Sequence, residues 1–211
     1  MSGILDLLQG PMGQMLINGA GKQLGMGEEK AGGAIQAAMP LILGAMKNNA
    51  ASEEGASGLL KALTSEKHGG GLLDNLGSVL GGGNIDDDVM QDGASILGHV
   101  FGGKEENVAH AVSKSSGIDL GQAMNILKVA APFIMSYLGK QTKEKGVSDQ
   151  SGIGDLLGGM LGGGEKESQS MINRLLDADG DGSIIDDVAG MLMSGGKKGG
   201  LGSLLGGLFG K

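Results

Sequence analysis

The sequence predicts an all-α protein, a bundle of small helices with an internally duplicated helical block and Gly-rich linkers. Apolar residues recur at three- and four-residue spacing in several segments, which is the period of a helix that buries one face. No segment alternates strictly between apolar and polar residues, so no strand is expected. Two segments 92 residues apart also align without a gap.

The apolar spacing predicts helices over 28–48, 88–101, 104–114 and 119–140. Pro40 and Pro132 fall inside the first and the last of them. An internal proline removes a hydrogen bond and clashes with the preceding turn. Each block is therefore either one kinked helix or two short helices that meet at the proline. Two more helices, 167–176 and 187–193, are expected on either side of an acidic loop.

The aligned segments are residues 22–46 and 114–138, and six of the 25 aligned pairs are identical. The two prolines are one of these pairs, so we interpret the alignment as a diverged duplication. The chain then divides into a first helical repeat at 1–66, a Gly-rich linker at 67–85, a second repeat at 86–150, a Gly-rich linker at 151–166, a helix-loop-helix at 167–193 and a Gly-rich tail at 194–211.

A short Gly-rich unit occurs four times, at 3–10, 71–83, 152–164 and 200–210. It reads Gly, a branched apolar residue, a variable position, Asp or Ser, a variable position and Leu. The Asp or Ser can cap a helix, and the glycines that follow can end it. We favour flexible linkers with a helical tendency. The alternative is a set of Gly and Ala faces that mediate self-association, a role best established for membrane helices.

Composition excludes several classes of protein. The net charge is −8, with no basic stripe interleaved with aromatics, which argues against nucleic-acid binding. Without cysteine there is no disulfide, thiolate metal site or cysteine nucleophile. Aromatic residues are 2% of the chain, so Leu, Ile, Val, Ala and Met must form a thinly packed core. Neither a signal peptide nor a membrane-spanning run is visible. We expect a cytoplasmic protein, and unconventional export stays open.

The motif with the clearest chemistry is the acidic loop at 177–187, DADGDGSIIDD. In an EF-hand loop, oxygen ligands occupy positions 1, 3, 5, 7, 9 and 12, with Gly at position 6. Asp177, Asp179 and Asp181 take the first three positions, and Ser183 at position 7 offers its backbone carbonyl. The spacing predicts a calcium site, although the choice of Ca²⁺ over Mg²⁺ rests only on the number of hard oxygen ligands.

The end of this loop departs from the EF-hand pattern. Position 12 is Val188 rather than a bidentate Glu, and the nearest acids are Asp186 and Asp187. The stretch resembles shortened bacterial calcium loops of the excalibur and thrombospondin type, in which the closing acid arrives early. We favour Asp186 as the closing ligand, with Asp187 as the alternative. The missing Glu predicts weak binding, with a dissociation constant of about 10⁻⁴–10⁻³ M.

No catalytic constellation is visible elsewhere in the chain. The acids at 86–88 and 92 lack alternate spacing and indicate a helix N-terminus. The three histidines, His68, His99 and His110, have no metal-ligand spacing. No serine lies in a nucleophile elbow, and no glycine run continues into a phosphate-binding motif. The sequence therefore favours a non-enzymatic protein.

Several longer segments resemble one bacterial family. GAIQAAMPLILGAM, ASILGHVFGGKEENVAHAVSKSSGID, VAAPFIMSYLGKQ and LLDADGDGSIIDDVAGML are similar to segments of the DUF937 family, which includes YidB-like proteins. The resemblance covers roughly residues 1–193. It implies a helical bacterial protein and supplies no catalytic residues.

These observations lead to one functional hypothesis and one alternative. The hypothesis is a non-enzymatic scaffold or interaction protein with one Ca²⁺ site, which self-associates through Gly- and Ala-faced helices and has an unknown protein partner. The alternative is a peripheral membrane protein whose Gly/Leu-rich segments lie in the interface as amphipathic helices. The many glycines and the acidic charge make the membrane alternative the less favoured one.

Overall fold

The computed structural model describes residues 4–65 and 86–161. These residues form helices joined by short turns, and no strand occurs among them. The all-α prediction is therefore confirmed. The helices, in chain order, are α1 (Ile4–Gln9), α2 (Pro11–Gln23), α3 (Glu28–Asn49), α4 (Glu53–Thr64), α5 (Asp87–Phe101), α6 (Glu105–Ser116), α7 (Leu120–Lys145) and α8 (Gln150–Leu161).

Local capping chemistry sets where several of these helices begin. Ser52 accepts a hydrogen bond from the Gly55 amide at the start of α4. Asp86 accepts one from the Asp88 amide at the start of α5, as the acidic cluster predicted. Asp119 and Gln122 form a reciprocal capping box at the start of α7. Each cap satisfies an amide that has no partner inside its helix, which is worth about 1 kcal/mol.

Each internal proline lies inside one continuous helix. Pro40 is within α3, and Pro132 is buried within α7. A proline in a helix interior costs about 3 kcal/mol, so packing around the helix must offset that cost. The buried positions of α3 recur in α7 at an offset of 92 residues. They are Ala31, Ala34, Ile35, Ala38, Met39, Ile42, Leu43 and Met46 in α3, and Ala123, Ile126, Leu127, Ala130, Ala131, Ile134, Met135 and Leu138 in α7.

Helix α7 is the centre of the core. It packs against α3, α4, α5 and α6, and its middle residues, 129–136, are buried without interruption. Phe133 is one of the largest fully buried side chains of the described residues. A helix that is apolar all round can lie only where other helices enclose it. Helix α7 therefore decides where its four neighbours can pack.

Gly93 lets α5 approach the backbone of α7. A Cβ atom added at Gly93 would lie 1.8 Å from the carbonyl oxygen of Lys128 and 2.6 Å from its carbonyl carbon. Two helix backbones come this close only where one of them has a glycine at the point of contact. Ala123, Ala130 and Ala131 of α7 are also fully buried, so small residues bring helices close together within this chain.

The packing order follows the two sequence blocks. Helix α4, the last of the first block, packs against α7 of the second, and α8 packs against α3 of the first. The turns before α3 and α7 also match, because Gly25 and Gly117 have left-handed φ angles of 61° and 65°. Only glycine adopts such angles without strain. These features agree with a duplication, which itself stays a prediction.

Two copies of the Gly-rich unit are helices that pack on the core, and this differs from the predicted linkers. Residues 152–161 lie in α8, where Ile153, Leu156, Leu157 and Met160 are buried. Residues 4–9 form α1, in which Leu8 is buried. These two helices were not predicted because each glycine lowers helix propensity by about 1 kcal/mol. Burial of apolar residues at positions i, i+3, i+4 and i+7 offsets that loss.

Helices α2 and α4 were not predicted from the sequence. Helix α2 contains three glycines among its 13 residues, which weakens its helical pattern. For α4 a usable signal was present, since Ser52 precedes Glu53 and Glu54 in the arrangement of an N-cap and an acidic first turn. The predicted helices at 167–176 and 187–193, and the segments 67–85 and 194–211, lie outside the described residues.

Two glycine substitutions test the close contact between α5 and α7. Gly93→Ala drives a methyl group into the Lys128 carbonyl, so the free energy of unfolding should fall by about 3 kcal/mol. Gly33→Ala is the control, because its Cβ would meet nothing within 4 Å, and stability should rise by about 0.5–1 kcal/mol. Urea unfolding followed by circular dichroism measures both. Equal effects would contradict the close approach.

Candidate functional site

A cleft of about 800 Å³ lies between α4 and α5. The C-terminal end of α3 closes one end, and Met46 of α3 and Met135 of α7 lie at its base. Both methionines are almost fully buried. Such a volume falls within the range of ligand and peptide sites.

The wall on α5 is one face of that helix. The cleft-lining residues occur at positions i, i+3, i+4, i+7 and i+8, which share a helix face. Ile96 is buried and Val100 half-buried, while Ser95 and His99 are exposed. The face is therefore apolar at the base and polar at the rim. Its five residues are Asp92, Ser95, Ile96, His99 and Val100.

Small residues occupy part of the wall on α4. Gly55, Gly58 and Ala62 line the cleft together with Leu59 and Lys61. A Cβ atom added at Gly58 would meet nothing within 4 Å. Helix α4 packs chiefly against α7 and α8, and α5 packs chiefly against α7 and α3. The two helices thus share a base and leave a gap between their upper faces.

Two long-range side-chain hydrogen bonds hold the helix ends around the cleft. The Asn49 amide donates to the carbonyls of Val100 at 3.1 Å and His99 at 3.4 Å, near the end of α5. The Gln150 amide donates to the carbonyls of Ala51 at 2.9 Å and Ala50 at 3.3 Å, just after α3. Carbonyls in the last turn of a helix have no intrahelical partner. These amides fasten the ends of α3, α5 and α8 together.

The polar residues of the cleft do not form a catalytic triad. The His99 Nδ1 atom lies 2.8 Å from the backbone carbonyl of Ser95, so in the neutral ring Nδ1 donates and Nε2 is left as an acceptor. A Ser–His–Asp triad needs a carboxylate at Nδ1. The arrangement of Ser95 and His99 is suited to polar contacts at the rim of a binding site.

The charge around the cleft is uneven. Asp86, Asp87 and Asp88 are exposed at the start of α5, and Asp92 lies one turn further along on the cleft wall. Lys61 contributes a positive charge from α4. The end of the cleft next to the start of α5 is therefore acidic.

None of the predicted metal ligands is among the residues that the structure describes. The loop residues Asp177, Asp179, Asp181, Ser183, Asp186 and Asp187 all lie outside the described residues. Within 4–65 and 86–161, no group of three or more His, Asp or Glu side chains could bind a metal ion. His99 and His110 are exposed, whereas His68 lies outside the described ranges.

Sequence reasoning did not identify the cleft. Its residues come from four helices, and the spacing along α5 looks the same whether a neighbouring helix covers that face or not. One signal was available: Gly55 and Gly58 are three residues apart in a segment that also has a capping serine and an acidic first turn. A helix with small residues on one side is typical of close packing or of an opening.

The described part of the chain is thus an all-helical bundle with an open cleft between two helices that rest on a buried central helix. A family model described as "Bacterial protein of unknown function (DUF937)" matches residues 6–141. The chain belongs to this family, which confirms the resemblance seen in its sequence over residues 6–141. The match includes the cleft and ends before the acidic loop. No curated protein and no solved structure matches the chain.

Substitution of Asn49 tests how the cleft is held. Asn49→Ala removes both hydrogen bonds to the end of α5, which should lower the free energy of unfolding by about 1–2 kcal/mol. Hydrogen exchange of amides in residues 96–101 should also become faster. Asn48→Ala is the matched control, since Asn48 is the neighbouring residue and its side chain is exposed. Equal exchange rates in the two variants would show that Asn49 does not hold this end.

Proposed function

We propose that this protein is a non-enzymatic interaction protein and that the α4–α5 cleft binds an amphipathic helix of a protein partner. The observation that carries the proposal is the shape of the cleft. Two helix faces stand apart over a shared apolar base of Met46, Ile96 and Met135. Helix-in-groove recognition uses such a surface, with anchors at positions i, i+3, i+4 and i+7 of the bound helix.

The energetics favour an apolar occupant. Each Leu, Ile or Met side chain that is fully buried contributes roughly 1.5–3 kcal/mol. Three or four anchors over this base are enough for a specific complex after the cost of association. The binding of α8 to α3 and α4 shows the same principle inside the chain, since four apolar residues at this spacing are buried there.

The charge of the cleft sets the character of the bound helix. Asp86, Asp87, Asp88 and Asp92 favour a partner segment with lysine or arginine beside its apolar face. Most of these acids are exposed, so the charges affect association rate and orientation more than affinity.

The same residues support a non-enzymatic role. His99 directs Nδ1 to the backbone of its own helix, so no carboxylate orients it as a general base. The remaining polar lining consists of amides, hydroxyls, Lys61 and Asp92. Such a set suits hydrogen bonds to a bound chain.

We further propose that the loop at 177–187 binds one Ca²⁺ ion weakly. Asp177, Asp179 and Asp181 would supply carboxylate oxygens and Ser183 its backbone carbonyl, with Asp186 or Asp187 closing the loop. Ligands that alternate along the chain can converge when the loop winds around the cation. The proposal rests on the sequence pattern.

The described residues give no specific support to a membrane-surface role. Their helices include none that is both long enough and apolar enough to cross a membrane. Met15, at 39% exposure, is the one large hydrophobic side chain that is exposed among them. An interfacial helix needs a contiguous apolar face.

Blocking the cleft should abolish partner binding. Gly58→Trp places an indole ring in open space on α4, so the fold should remain stable while the bound helix is excluded. In the experiment, a photo-crosslinking amino acid replaces Lys61 of the full chain, which is expressed in its native host. Mass spectrometry then identifies the crosslinked peptide. We expect the crosslinked peptide to have apolar anchors at helical spacing. In Gly58→Trp the crosslink yield should be at least about tenfold lower, because the bound helix loses anchor contacts worth more than 1.4 kcal/mol.

Gly33→Trp is the matched control, because Gly33 is exposed on α3 with nothing within 4 Å of its Cβ position. It should leave the yield unchanged. Crosslinks that persist in Gly58→Trp, or peptides without helical apolar spacing, would contradict the proposal.

Calorimetry of the full chain tests the calcium site. One Ca²⁺ should bind with a dissociation constant of about 10⁻⁴–10⁻³ M. The double substitution Asp177→Ala and Asp181→Ala removes two ligands and should abolish the binding heat. The control, Asp86→Ala with Asp88→Ala, removes the same charge from a helix start and should retain it. If both variants behave alike, the heat reflects non-specific attraction to an acidic surface.

A further inference from the structure

We infer that Pro132 and Gly93 form a positioning unit that sets where α5, one wall of the cleft, docks on α7. Pro132 turns the backbone carbonyl of Lys128 out of α7, and a Cα–H group of Gly93 donates a hydrogen bond to that carbonyl. The contact itself does not depend on the proposed function. Its importance for partner binding rests on the proposed function, because α5 is a wall of the proposed binding site.

The carbonyl of Lys128 has no amide partner four residues further along α7. In an α-helix each carbonyl accepts a hydrogen bond from the amide of residue i+4. That residue is Pro132, which has no amide hydrogen, and a proline ring also presses against the carbonyl of residue i−4. The Lys128 carbonyl is therefore displaced outward from the helix axis. Backbone carbonyls inside a protein are nearly always paired, so this one needs a donor from outside α7.

Gly93 of α5 supplies that donor. A Cβ atom added at Gly93 would lie 1.8 Å from the Lys128 carbonyl oxygen, so the Cα–H bond that a side chain would replace points at this oxygen. The Gly93 Cα atom is then at most about 3.3 Å from the oxygen, within the range of Cα–H···O hydrogen bonds between helices. Gly93 is buried. The close approach of the two backbones therefore also satisfies the carbonyl.

The position of the contact on α7 matches the position of the proline. Within the described helices, interior prolines leave two carbonyls without an i+4 amide, those of Gln36 and Lys128. Among the described glycines, Gly93 is the one whose added Cβ would come within 3.0 Å of the backbone of a helix distant in sequence. That backbone contact falls on Lys128. The proline and the glycine are therefore two parts of one contact.

The contact fixes the first half of α5 beside the cleft. Asp92 and Ile96, one residue before Gly93 and three residues after it, line the cleft. Near the other end of α5, the Asn49 amide bonds to the backbone, so the helix has one polar attachment near each end. A methyl group at residue 93 would force the start of α5 away from α7 by about 1 Å. Gly93 and Pro132 thus position this wall.

A double-substitution cycle in the full chain tests the coupling. Pro132→Ala restores an amide at residue 132, so the Lys128 carbonyl can turn back into α7 and leave room for the methyl group of Gly93→Ala. The fall in the urea midpoint caused by Gly93→Ala should be about half as large, or smaller, in the Pro132→Ala background. Circular dichroism follows the unfolding. Pro40→Ala is the matched control, since Pro40 is the interior proline of α3, and it should leave the effect of Gly93→Ala unchanged.

NMR of the unsubstituted full chain tests the hydrogen bond without relying on any variant to fold. The Gly93 Hα that faces Lys128 should resonate downfield of the other Hα. A scalar coupling across the hydrogen bond should connect it to the ¹³C-labelled carbonyl of Lys128. Gly33 is the control glycine, because its Cβ position meets nothing within 4 Å, and it should show no such coupling.

Three results would overturn the positioning unit. Equal midpoint shifts for Gly93→Ala in the wild type and in Pro132→Ala would show that the proline does not control the contact. An equal reduction in Pro40→Ala would show a general effect of removing a proline. Absence of the coupling between Gly93 and Lys128 would exclude the hydrogen bond, and this result alone decides if a variant does not fold. A partner crosslink at Lys61 that Gly58→Trp removes tests the proposed function separately from all three.

Discussion

The enclosure of α7 by other helices determines how the described helices pack. Its middle residues are buried on all sides, so every neighbour must offer it an apolar or small-residue face. With few aromatic side chains available, the chain fills this space by bringing backbones close together, as at Gly93 and the Lys128 carbonyl. Pro132 persists inside the helix because its ring is buried in the same packing.

The cleft is a consequence of that arrangement. Helices α4 and α5 both rest on α7, and no other described residue fills the space above their shared base. Asn49 and Gln150 keep the surrounding helix ends in place through bonds to backbone carbonyls. The cleft is therefore a preformed feature of the core geometry, and the proposed binding would need little reorganisation.

The two proposed binding elements depend on different physical terms. The cleft would use apolar burial, steered by the acids at the start of α5, whereas the loop at 177–187 would use carboxylate oxygens around a hard cation. In a family of unknown function, these features give a starting point for biochemical work.

Local patterns were enough to predict the helical class, the starts of α3, α5 and α7, and most of their buried positions, because spacing and capping are local properties. It also placed both prolines inside helices, without deciding between one helix and two. The packing of α8 and α1 on the core could not be predicted in this way, since the burial of Leu156 and Leu157 depends on surfaces of α3 and α4 that are distant in sequence. The cleft could not be predicted either, because the space between Gly58 and Ser95 depends on how two helices pack. The residue periodicity of each helix alone does not indicate it.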